Sequence, residues 1–122
     1  NERALRELAA QAGDARKALG ASIGRMEAMV EAKEAPVDAI YDESTTVLDI
    51  AGLFNMRLLC DAAYSLCELT DRLRTAGRHD WKAIGVHVNA LRLIWSKDKN
   101  LGPEVKSMVD ELWALTDRLT PP

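Results

Sequence analysis

Apolar residues recur at helical intervals along nearly the whole chain, and that one period limits the fold more than any other feature of the sequence. Leu5, Leu8, Ala12, Ala15, Leu19, Ile23, Met26 and Val30 advance by three or four positions each time. Such spacing puts about one side chain per turn on a common face, so it draws an apolar stripe down a long helix over about residues 2–33. Strand-type alternation is absent. The expectation is an all-α chain.

Breakers divide the rest into further helices. Gly13, Gly20 and Gly24 interrupt the first stripe, each at a cost of roughly 1 kcal/mol against alanine, and a bend or close packing is expected near Gly20 and Gly24. Glu34-Ala35-Pro36 ends the first helix, and Pro36 suits the first turn of the next. Val37, Ile40, Tyr41, Ser44, Val47, Leu48 and Ala51 form the inner face of a second helix ending near Leu53. A corner at Gly52–Asn55 leads to a third helix, about residues 56–75, with Leu59, Ala62, Ala63, Leu66, Leu69 and Leu73 inward and Gly77 as its stop. Asp80 is the expected N-cap of a fourth helix carrying Trp81, Ile84, Val88, Leu91, Ile94 and Trp95. After the polar run Lys97-Asp98-Lys99-Asn100, Gly102-Pro103 restarts a fifth, with Val105, Met108, Val109, Leu112, Leu115 and Leu119 inward and Pro121-Pro122 as its end. Short connections make successive helices antiparallel. The expected architecture is an antiparallel four-helix bundle of helices two to five, with the long N-terminal helix as an addition on its side or end, or as a dimer contact.

Composition narrows the function classes. A length of 122 residues suits one domain spanning 1–122, and 48% hydrophobic with 29% charged residues allows a core without staples. The net charge of −3 lacks the basic footprint of a nucleic-acid binder. Scattered Lys and Arg, and no apolar run near ~20 residues, argue against a membrane partner. The opening Asn1-Glu2-Arg3 has no apolar segment or cleavage pattern of a signal peptide. Cys60 and Cys67 lie seven positions apart on one helix, roughly 10 Å along its axis, too far to bridge each other. Two unpaired thiols favour a reducing, cytoplasmic location.

No catalytic constellation emerges. His87 between Val86 and Val88 reads as a helix-face histidine with a local hydrogen bond, its functional alternative being a phosphoacceptor or metal ligand. His79, beside Gly77 and Asp80, reads as a solvated turn residue. Neither histidine has a metal-ligand partner at i+3 or i+4, no Cys-x-x-Cys exists, and no glycine-rich phosphate loop occurs. Hence no metal, no cofactor and no enzymatic activity are expected. Ser44, Thr45 and Thr46 form a hydroxyl run without a neighbouring base, and Asp42, Glu43 and Asp49 form an acidic group on the second helix. Trp81, Trp95 and Trp113 read as core anchors at helix ends.

The second and third helices add a resemblance. The stretch Thr45-Thr46-Val47-Leu48-Asp49-Ile50-Ala51-Gly52-Leu53-Phe54-Asn55, followed by Ala63-Tyr64-Ser65-Leu66-Cys67-Glu68-Leu69 and Val86-His87-Val88-Asn89-Ala90-Leu91, resembles histidine phosphotransfer (Hpt) domains. It is most similar to single-domain alphaproteobacterial members, over about residues 37–95. That family's active helix carries His-Asp-hydrophobic-Lys-Gly, a few small residues, then Thr/Ser-Phe-Gly. Ala51, Gly52 and Phe54 fit this pattern. The resemblance puts Thr45 where the phosphorylated histidine stands, Leu48 where a lysine neutralises the phosphoryl group, and Asp49 where a glycine lets the partner approach. A threonine forms no phosphoramidate, leucine supplies no cation, and aspartate repels the incoming anion.

The resemblance therefore implies a pseudo-phosphotransfer module that docks a response-regulator receiver domain or a histidine kinase of a two-component system without passing a phosphoryl group. Asp42, Thr45, Thr46, Leu48 and Asp49 would be its partner-binding residues. Two other readings accompany this one. The alanine-rich stripe of residues 5–30 suits a structural or oligomeric adaptor unrelated to phosphorelay, including a homodimer through the N-terminal helix. A phosphotransfer protein could also use His87 as a displaced acceptor.

Overall fold

The computed structural model describes residues 1–97 and 102–119. Within them lie five helices and no strand: α1 (Glu2–Ala32), α2 (Val37–Leu53), α3 (Arg57–Thr75), α4 (Trp81–Lys97) and α5 (Pro103–Leu119). Residues 98–100 of the polar run and the closing Pro121-Pro122 fall outside the described residues.

The boundaries sit where local chemistry satisfies the free backbone groups. Asn1 Oδ1 accepts the Ala4 N–H at 2.8 Å and caps α1. Pro36 is the N-cap of α2, one position earlier than a first-turn proline. Both ends of the α2–α3 hairpin close with a left-handed residue after the cap. At Asn55 (φ 58) the Met56 N–H reaches Ala51 O at 2.8 Å while the Asn55 N–H reaches Gly52 O at 3.3 Å. At Gly77 (φ 65) the Arg78 N–H reaches Leu73 O at 2.8 Å. This is the Schellman arrangement, for which glycine and then asparagine are the residues that tolerate positive φ. Asp80 caps α4 as its sequence implied, with Oδ1 3.0 Å from the Ala83 N–H.

Packing runs in a ring. α1 lies on α2 and α4, α2 on α3, and α3 on α4, while α5 lies on α3 and α4. Among the described residues the backbone of α2 does not come close to that of α4 or α5. The sequence expectation grouped helices two to five with α1 on their side or end; in the structure the second half of α1 packs on α2 and α4, and α5 packs on α3 and α4. The core comprises Leu19, Ile23 and Met26 of α1, Ile40, Val47 and Ala51 of α2, Leu59, Ala62, Leu66, Leu69 and Leu73 of α3, Ile84, Val88, Leu91 and Ile94 of α4, and Val105, Val109 and Leu112 of α5.

The first half of α1 behaves differently. Residues 1–14 are all exposed, including Leu5, Leu8 and Ala12 of the apolar stripe. A helix of 31 residues is about 46 Å long at 1.5 Å per residue, against about 26 Å for the 17 residues of α2. The excess forms an arm. The seam with α4 begins where the arm ends: Trp95 Nε1 donates to Arg16 O at 2.9 Å, and the Arg92 guanidinium pairs with Glu27 and reaches Gly20 O at 3.2 Å. Gly20 permits this approach, because a Cβ there would lie 2.8 Å from Trp95 Cζ2.

Three substitutions grade these contacts. Leu66→Ala, at a fully buried position, is expected to cost about 2–5 kcal/mol through lost burial and a residual cavity. Gly20→Ala gains helix propensity but overpacks Trp95 and is expected to lose about 1 kcal/mol net. Leu53→Ala, at 80% exposure, should stay within about 0.5 kcal/mol. Urea unfolding followed by circular dichroism checks the order.

Candidate functional site

The outward side of α2 is set by what its inward side buries. Ile40, Ser44, Val47 and Ala51 are buried, so helical spacing turns Asp42, Thr46 and Asp49 fully to solvent and leaves Thr45 and Leu48 half-buried at the edge. Asp42, Thr46 and Asp49 thus form an exposed ridge, with Thr45 and then Leu48 on its buried side. Thr45 is at the middle of α2, beside the seam with α3. Its Oγ1 lies 3.9 Å from Cys67 Sγ across that seam.

The hydroxyl run is chemically quiet. Thr45 Oγ1 donates to Tyr41 O at 2.9 Å and Thr46 Oγ1 donates to Asp42 O at 3.2 Å, both to the preceding turn. Ser44 Oγ donates to the same Tyr41 carbonyl at 2.8 Å and accepts the Cys67 thiol at 3.3 Å. Among the described residues no histidine or lysine hydrogen-bonds any of them, so no base is in place to remove a proton. Asp42 and Asp49 form no ion pair among the described residues, whereas Glu43 is turned toward α1 and pairs with Arg25. The acidic trio of the sequence is therefore split: two carboxylates stay on the ridge and the third is structural.

The cysteines belong to the seam. Cys60 is half-buried and Cys67 buried. The Cys60 thiol points to Leu48 O at 3.8 Å. Burial, then the charges of Asp61 and Asp49, push its pKa up, which keeps it protonated and weakly nucleophilic. Asp61 of α3 thus extends the negative ridge, and exposed Tyr64 borders it, its ring edge-on to Trp113 at 5.3 Å between centroids. Neither stood out in the sequence, since each is an ordinary outward position of an amphipathic helix.

A second cluster sits at the junction of α3, α4 and α5. His87 has no exposed surface, and neither have Ser65 and Thr116. His87 Nδ1 is 2.9 Å from Ala83 O, which can only accept, so Nδ1 carries the proton. Nε2 is then the acceptor of a hydroxyl proton, with Ser65 Oγ at 2.9 Å and Thr116 Oγ1 at 3.2 Å, and the two hydroxyls lie 3.1 Å apart, so the second can donate within the cluster. A serine beside an acceptor imidazole has the elements of an activated nucleophile. Here both nitrogens are occupied and the cluster is closed to solvent, so no substrate or phosphoryl donor reaches it. The local hydrogen bond expected of His87 is present. Its two hydroxyl partners went unseen because they lie 22 and 29 positions away.

Among the described residues no group of three or more His, Cys, Asp or Glu side chains gathers to hold a metal ion, and no helix is long and apolar enough to cross a membrane. The tryptophans are each half-buried, and Trp95 carries the Arg16 and Arg92 guanidinium groups over its ring at 4.4 and 4.9 Å. Compared with known protein families, with curated proteins and with solved structures, the chain matches none.

Desolvation lowers the His87 pKa below its ordinary 6.5, only partly offset by the bond to Ala83. The unfolded chain then binds the extra proton more readily than the folded one. His87 therefore costs no stability above pH 6.5, and stability falls as the pH drops from there toward the folded pKa. The urea midpoint is expected to be lower at pH 5 than at pH 7.5, with a smaller drop in His87→Gln; equal drops would remove His87 as the source.

Proposed function

We propose that this chain is a non-catalytic signalling module of the histidine-phosphotransfer type, an antiparallel helical bundle that docks a receiver domain or a histidine kinase in the cytoplasm and passes no phosphoryl group. The observation that carries the reading is the position of Thr45. It stands at the centre of α2, at the solvent edge, flanked by exposed Asp42, Thr46 and Asp49. The motif alignment assigns the acceptor histidine to that position, and a partner can reach it there. With its hydroxyl bound to Tyr41 O, Thr45 offers shape without a reactive nitrogen. Leu48 supplies no charge, and Asp49 repels a phosphoryl group while leaving the ridge able to meet a basic face.

Restoring the missing chemistry tests this directly. The triple variant Thr45→His, Leu48→Lys, Asp49→Gly is expected to gain an acid-labile phosphoryl label from a phosphorylated receiver captured with the protein, while the parent chain takes none. Label on the parent, or on its His87, would overturn the reading. In binding titrations with the captured partner, Asp49→Lys should change affinity by about tenfold, equivalent to about 1.4 kcal/mol. Reversal at Glu31, on the far end of α1, should leave it within about twofold.

A second reading, an oligomeric helical adaptor, is favoured by the exposed leucines of the α1 arm. Loss of self-association on removal of those leucines, with no receiver or kinase captured, would favour it over the first.

A further inference from the structure

Four of the helices close on one another and the fifth is added to them. α1 packs on α2 and α4, α2 on α3, and α3 on α4, so α1 to α4 complete a cycle without α5. Among the described residues α5 lies on α3 and α4 alone. Its buried apolar side chains are Val105, Val109 and Leu112. Its other ties are the Thr116 hydroxyl, the Arg72–Asp117 pair and the Tyr64–Trp113 rings. Departure of α5 would leave every pairing within the set of four in place.

α5 covers the acceptor side of a titratable ring. His87 Nδ1 donates to Ala83 O, and Nε2 faces Ser65 of α3 and Thr116 of α5. None of the three side chains has exposed surface. A proton added at Nε2 need not cost a hydrogen bond, because a hydroxyl both donates and accepts. Ser65 can turn to accept from Nε2 and donate to Thr116 at 3.1 Å, while Thr116 donates to Ser65 O at 3.5 Å. The closed cluster supplies neither a counter-charge nor water for the imidazolium, and a charge held away from both is the costly state.

No helix packed on His87 brings it a compensating charge. On α4 itself the positions three and four away are Ala83, Ile84, Ala90 and Leu91. On α3 the ionisable neighbours of Ser65 are Asp61, Tyr64, Glu68 and Arg72; on α5 the neighbour of Thr116 is Asp117; on α1 the acids of the half that meets α4 are Glu27 and Glu31. Glu68, Arg72 and Asp117 are tied together at the α3–α5 rim, and Glu27 is tied to Arg92. Asp61, Tyr64 and Glu31 are exposed, as are Lys82 of α4 and the other charged residues of α5. The partners of the two ring nitrogens are the Ala83 carbonyl and the two hydroxyls. Of the side chains at Nε2, Ser65 belongs to the set of four, and Thr116 to the helix that can leave it.

We propose that α5 is an acid-released strap: protonation of His87 frees α5 from the α3–α4 face while α1 to α4 stay folded. A buried imidazole that reorganises a packed interface when it charges is a recurrent switch. Release here opens His87 and Ser65 to solvent. The device is separate from the docking ridge on α2.

Hydrogen exchange of the full chain, read helix by helix at pH 7.5 and pH 5 and corrected for intrinsic rates, tests it. The opening equilibrium of the α5 amides is expected to rise by up to about 30-fold at pH 5, the limit for a histidine that titrates at its ordinary 6.5 once open and takes no proton while closed. Every opening that exposes His87 gains by the same factor, so the order of the helices identifies the strap. At pH 5 the α5 amides should be at least about tenfold less protected than those of α2. His87→Gln should abolish the pH ratio in α5. Asp117→Asn, which removes the rim pair, should keep it. Equal protection of α5 and α2 at pH 5 would overturn the proposal, because it means one global opening. So would α5 amides that open alike at both pH values, or a ratio that survives in His87→Gln or vanishes in Asp117→Asn. The wild-type ratio and order decide on their own if His87→Gln does not fold.

Discussion

One imidazole ring ties the outer part of this fold together. His87 of α4 gives its proton to its own helix, and its other nitrogen accepts from the hydroxyl pair of Ser65 on α3 and Thr116 on α5. A polar group buried without a partner costs more than its hydrogen bond returns when made, and no buried side-chain nitrogen or oxygen of the described residues lacks a partner. Ser65, Thr116 and Nε2 therefore satisfy one another as one cluster. It joins α5 to the α3–α4 pair beside the apolar contacts of Val105, Val109 and Leu112. Among the described residues α5 packs on no other helix, and this cluster, the Arg72–Asp117 pair at 3.1 Å and the edge-on Tyr64–Trp113 rings hold it to α3 and α4.

The α2–α3 hairpin is fixed by other means. Two Schellman ends, the apolar face of Ile40, Val47 and Ala51 against α3, and the Ser44–Cys67 contact hold α2 against rotation. Rotation by one residue, about 100°, would bury Thr45 and bring Ser44 outward. Because the seam prevents this, the ridge from Asp42 to Asp49 is a rigid surface whose hydroxyl protons are already bound to backbone carbonyls. Rigid presentation favours recognition, since little entropy is lost when a partner docks. Committed protons oppose nucleophilic chemistry. The same packing thus supports binding and disfavours reaction.

Helix bounds were legible in the sequence because period and punctuation agreed. Pro36, Asn55, Gly77, Asp80 and Pro103 all mark real ends, and the residues facing out at 42, 46 and 49 follow once 44, 47 and 51 face in. The partner of each stripe was not legible. Leu5 and Leu8 obey the same spacing as Leu19 and Ile23, yet one pair is exposed and the other has no exposed surface. Periodicity records that a helix has an apolar face and not what covers it. The same limit left the packing partners of α1 and α5 unread. A stripe diluted with alanine looked peripheral, but small side chains are what let α1 approach Trp95 and α4 closely. Polar contacts across 22 to 51 positions, such as those of Ser65 with His87 and Thr116, leave no local trace at all.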